Sequence, residues 1–126
     1  MITKTKSKDM LVSDLEELRA RINNFASERD WNQFHSPKNL SMALIVEAGE
    51  LVEQFQWLKE SESYDLSKEK LVAVEEEIAD IFVYLIRIAH QLDIDLVSAA
   101  NKKIKLNESK YPAEIVRGSA KKYTEY

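Results

Sequence analysis

The stretch Glu77-Ile78-Ala79-Asp80-Ile81-Phe82-Val83-Tyr84-Leu85-Ile86 is apolar except for its two acids and the amphipathic Tyr84. Leu71, Val74, Ile78, Ile81, Leu85, Ile88 and Leu92 recur at helical spacing, which predicts a helix from about Lys68 to Leu92 with that stripe as its core face. Glu77 and Asp80, three residues apart, share one side of it at roughly 5–6 Å between Cβ atoms. A second stretch repeats the arrangement. Leu40, Leu44, Leu51, Phe55 and Leu58 mark the apolar face of a helix reaching Leu58; Glu47 stands where that stripe should continue after Leu44, and Glu50 follows one turn later. Four acids beside a core repel one another, and desolvating a single unpaired ion costs on the order of several kcal/mol. They need cations. With no cysteine and only two histidines, oxygen-only ligation favours a hard divalent ion, magnesium first and manganese as its substitute. Each glutamate alone reads more readily as a solvated surface residue. The repeated pairing, with Glu47 and Asp80 interrupting apolar faces, is what argues for a site.

Working outward, the 126 residues suit one domain with a modest core. Eighteen basic against 22 acidic residues give a net charge of −4, so the chain carries no electrostatic footprint for a nucleic-acid polymer. The lack of cysteine excludes disulfides, zinc-thiolate sites and thiol catalysis, and fits a reducing cytoplasm. No apolar run approaches the roughly 20 residues needed to span a bilayer, and the start lacks a signal peptide's apolar core. Two glycines and two prolines argue against sheet. The expectation is an all-α fold of four helices.

Residues 1–12 read as a flexible arm and residues 13–112 as the helical domain. Ser13-Asp14-Leu15-Glu16 has the form of a capping box, and Leu15, Leu18, Ile22 and Phe25 form one stripe of a helix fading near Trp31. The short connection to Pro37 carries Trp31, Phe34 and His35, rings that either cover the end of the bundle or hold a planar ligand. Ser36-Pro37 starts the second helix. Gly49, in its interior, costs about 1 kcal/mol against alanine and suggests close packing or approach to a ligand. Glu53 is an outer ligand or a solvated residue, and Trp57 is read as closing this helix near the aromatic loop. After a polar connection and the third helix, Asp95 caps a fourth that ends before Tyr111-Pro112, with Lys103 and Asn107 one turn apart. Residues 113–126 read as a mobile tail that orders against a partner subunit or an anionic ligand.

The pairs Glu47-x-x-Glu50 and Glu77-x-x-Asp80 on successive helices resemble the metal-binding signature of the MazG-type all-α nucleoside triphosphate pyrophosphohydrolases. The stretch from Phe25 to Pro37, with Phe55-Gln56-Trp57, Lys103, Asn107, Tyr111-Pro112 and Lys122-Tyr123-Thr124-Glu125, is similar to the dCTP pyrophosphatase branch of that family. The resemblance implies hydrolysis of a nucleoside triphosphate between the α and β phosphates, in the service of nucleotide pool cleansing. By the same likeness Glu47, Glu50, Glu77 and Asp80 would hold magnesium, while Trp31, His35, Trp57 and Tyr84 would line the base pocket. Lys103 and Asn107 would meet phosphate or sugar, and the chain would assemble as a homo-oligomer, a dimer or a tetramer of paired dimers. Either Glu50 or Glu53 could accept the proton from water. Two positions depart from the family pattern: Val46 stands where many members carry a second glutamate, and apolar Ile22 lies near a position where vertebrate members carry a histidine facing the base.

Two rivals remain. A ferritin-like di-iron protein needs Glu-x-x-His pairs, which are missing. A non-catalytic helical module would use its acids as a docking face for a basic partner.

Overall fold

The structure of the protein, a computed structural model, describes residues 14–125, and among these every regular element is helical. The expected arm and Ser13 lie outside the described residues. Helix α1 spans Leu15–Glu28, and its N-cap is Asp14, whose carboxylate accepts the backbone N–H groups of Glu16 at 2.7 Å and Glu17 at 3.4 Å. A charged acceptor there also answers the positive end of the helix dipole. Helix α2 spans Pro37–Glu53, capped by Ser36 Oγ, which accepts from Asn39 N at 3.1 Å. Helix α3 spans Lys68–Gln91, capped by Ser67 Oγ. Between α2 and α3 a 3₁₀ turn, Ser61–Tyr64, occupies the polar connection.

The chain divides into two compact units, the first ending at Leu92 and the second beginning at Asp93. In the first, α1 and α2 both pack on α3. In the second, α4 spans Leu96–Lys110, with Asp95 as N-cap accepting Ser98 N at 3.0 Å; a one-turn α5, Ala113–Val116, and a 3₁₀ turn, Tyr123–Glu125, follow. Among the described residues no helix is long and apolar enough to cross a membrane.

Several expectations about packing and helix ends are corrected. The α3 stripe read as core is largely open: Leu71, Ile78, Leu85 and Leu92 are exposed, whereas Val74, Ile86, Arg87 and Ala89 are buried. The periodicity of α3 identifies an apolar stripe without saying what covers it. On α1 the same happens: Asn23 and Ala26 are buried, while Leu15 and Phe25 are exposed. Helix α2 ends at Glu53 rather than Leu58, and Trp57 follows in a turn at 87% exposure instead of closing the helix. A Cβ added to Gly49 would meet nothing within 4 Å, so no contact inside the protomer asks for a glycine.

Candidate active site

Acids on α2 and α3 meet where these helices pack. Glu47, Glu77 and Asp80 each offer a carboxylate oxygen within 4.8 Å of the other two. Three carboxylate oxygens gathered this closely would offer a hard divalent cation part of an oxygen ligand set. Glu77 Oε2 is buried and has no hydrogen-bond partner. A buried, unpartnered carboxylate oxygen on a residue that joins two more acids is the donor set of a hard divalent cation.

Glu47 is raised above the ordinary carboxylate range, first by a proton shared with Glu77, then by burial and the charges of Glu77 and Asp80. Glu50 is raised as well, chiefly by hydrogen bonding to Glu47 and by the Glu47 charge. Raised carboxylates keep protons in the folded state that the unfolded chain has released. The metal-free protein is therefore expected to lose stability as pH rises from the ordinary carboxylate pKa through the raised values, and a saturating divalent cation is expected to restore it at pH 7. Thermal melts at pH 5 and pH 7, with and without EDTA, check both signs.

The end of α1 builds the other half of the site. Asp30 sits in the left-handed region at φ 55°, its N–H reaching Ser27 O at 3.0 Å while Trp31 N–H reaches Ala26 O at 2.9 Å. This paired closure is the Schellman arrangement, with aspartate where glycine is usual, and it turns Trp31 back along the helix. Phe25 and Trp31 then meet edge to face with centroids 5.6 Å apart, and Trp31 and His35 meet at 5.8 Å. These rings line a cavity of about 370 Å³ together with Ile22, Tyr84 and Asp80. Asp80 therefore belongs both to the acid cluster and to the ring-lined cavity. Burial, reinforced by the charges of Glu47 and Asp80, raises Tyr84 above its ordinary value and keeps it a neutral phenol.

Arg87 was not singled out by the sequence reading. It is 1% exposed and lines the same cavity, donating from Nε to His35 Nδ1 at 3.2 Å, from one terminal nitrogen to Asn23 Oδ1 at 3.0 Å and from the other to Asn32 Oδ1 at 2.6 Å. Gln91 Nε2 adds a bond to His35 O at 2.6 Å. The signal was present: Glu77, Asp80, Tyr84, Arg87 and Gln91 succeed one another at intervals of three and four, which is one face of a helix.

Within the first unit, two further candidates are not part of this grouping. Glu53 is the exposed last residue of α2, and Trp57 is not among the residues lining the cavity. Lys103 and Asn107 are exposed on α4, in the second unit.

The MazG-like family model matches residues 42–126. The chain is 42% identical over 113 residues to dCTP pyrophosphatase 1 of Homo sapiens, an alignment covering 88% of this chain and 66% of that protein. It is 43% identical over 114 residues to dCTP pyrophosphatase 1 of Mus musculus, with 88% and 66% covered. It thus spans just under two thirds of the length of these relatives. A solved pyrophosphatase from Archaeoglobus fulgidus superimposes with a TM-score of 0.73 at 33% identity, covering 89% of this chain and 99% of that one. The paired acids, the all-helical fold and these matches converge: the chain belongs to the MazG-like family.

Proposed function

We propose that the protein is a magnesium-dependent nucleoside triphosphate pyrophosphohydrolase that cleaves dCTP, or a related or modified dNTP, between the α and β phosphates to give the monophosphate and pyrophosphate. The observation that carries this reading is Asp80, shared between three converging acids and a cavity walled by aromatic rings. A triphosphate attached to a planar base needs both halves, joined. The relatives that are named dCTP pyrophosphatase 1 support the choice of substrate, and a cysteine-free chain supports a reducing, cytoplasmic setting for nucleotide pool cleansing.

Glu47, Glu77 and Asp80 are assigned to hold the cation. When bound, it supplies charge neutralisation for the phosphates and an activated water. Glu50, one turn beyond Glu47 on α2 and outside the three acids assigned to the cation, is assigned to accept the proton of the attacking water, while Glu53 stays a solvated residue. Trp31, His35 and Tyr84 orient the base. Lys103 and Asn107 keep the phosphate or sugar role that the family likeness implies.

A homo-oligomer completes the account. Met42, Ile45 and Val52 leave an apolar strip exposed on α2, with Ile45 at 66%, and Ile78, Phe82 and Leu85 leave another on α3. Open Gly49 lies on the α2 strip, where a second helix could approach closely. We assign Trp57 to a substrate contact completed by that assembly. Trp57→Ala is expected to raise KM with little change in thermal midpoint, because substitution of an exposed residue shifts stability by about 0.5 kcal/mol or less. A collapsed midpoint with unchanged KM would make the ring structural. A turnover screen across the common and modified dNTPs and NTPs tests the substrate assignment, with cytosine bases expected to rank first; a flat ranking would contradict it.

A further inference from the structure

Arg87 places a permanent cation in the interior of the first unit, and the three acceptors it meets are neutral: His35 Nδ1, Asn23 Oδ1 and Asn32 Oδ1. Burying a charge without a counter-charge is costly, so its retention needs a reason beyond packing. The geometry supplies one. A guanidinium does not give up its protons, so the ring nitrogen facing Arg87 Nε can only accept. His35 is then a neutral imidazole whose single N–H lies at Nε2, the remaining polar atom with which it can address the cavity it lines. The same fork fastens Asn32 and His35, at both ends of the aromatic connection, to α3 and ties in Asn23 from α1.

We propose that Arg87 is a positioning residue for base recognition: it fixes His35 as an Nε2–H donor and so selects a planar ring that presents an acceptor, a carbonyl oxygen or an unprotonated ring nitrogen, to that edge of the cavity. This rests on the nucleotide reading of the site. The ring wall alone would accept any flat apolar ligand, because stacking carries little information about ring edges. The oriented donor adds that information, and substrates lacking the acceptor would leave it unpaired.

The test joins spectroscopy to kinetics. Long-range ¹H–¹⁵N spectra of the labelled protein at neutral pH, with His35 distinguished from His90 by a His90→Gln variant, are expected to show His35 unprotonated at Nδ1 and protonated at Nε2. In Arg87→Met the ring is expected to become a mixture of tautomers, and KM for dCTP to rise about tenfold, the worth of one oriented hydrogen bond, while kcat holds. Arg87→Lys, which keeps one donor but no fork, is expected to retain the Nε2–H form with an intermediate KM, and it serves if the methionine variant does not fold. A wild-type His35 protonated at Nδ1, or a folded variant that loses the tautomer at unchanged KM, overturns the inference while the enzyme remains active. A wild type that hydrolyses no nucleoside triphosphate removes the functional reading and this inference with it.

Discussion

Asp80→Asn is expected to lower kcat/KM for dCTP by about three orders of magnitude, or ~4 kcal/mol of transition-state stabilisation. Asp80 is one of three acids whose oxygens converge within 4.8 Å, and it alone of the three also lines the ring-walled cavity. An amide keeps its shape but removes the charge that a divalent ion requires. The fold should not suffer, since the Asp80 charge is one of those that push Glu47 above the carboxylate range, and deleting it relieves repulsion. The metal-free variant is therefore expected to melt at or above the wild-type temperature. Glu77→Gln should behave alike. Activity close to wild type at saturating magnesium, in either variant, would mean that the acids do not hold the catalytic ion.

Glu50→Gln is expected to lower kcat by about 10²- to 10⁴-fold, the span of a lost general base, with cation binding largely kept because Glu50 is not among the three converging acids. Calorimetric titration with magnesium separates the two effects. Glu53→Gln is the matched control: exposed at the end of α2 and outside the three converging acids, it should leave kcat within about threefold. The reverse pattern, with Glu53 essential and Glu50 dispensable, would move the base one turn along the helix.

The helix starts were legible because each is a local chemical event. Ser36-Pro37 and Asp95 cap where the residues say they should, and Asp14 takes the cap one position beyond the expected Ser13. Helix ends were less legible: Gln54 to Trp57 contains no glycine or proline to announce that α2 stops at Glu53, and the apolar rhythm simply continues through it. The face of α3 failed for another reason. Leu71, Ile78 and Leu85 recur every seven residues and look like a core seam, yet they are exposed.

The acid pairs could be read from spacing, since i, i+3 placement is enforced by the helix itself. Their convergence across α2 and α3, and the buried oxygen it orphans on Glu77, could not. Arg87 shows the limit most plainly. Its partner His35 lies 52 residues away, and an arginine on a helix reads as a solvated side chain until the fold places it at 1% exposure.

The central claim, hydrolysis between the α and β phosphates by an acid-held cation, is tested most directly by incubating the purified protein with dCTP and magnesium and scoring pyrophosphate separately from orthophosphate. Equal amounts of dCMP and pyrophosphate, lost on addition of EDTA and regained with excess magnesium, are the expected result. Release of orthophosphate with dCDP, or turnover indifferent to EDTA, would contradict it.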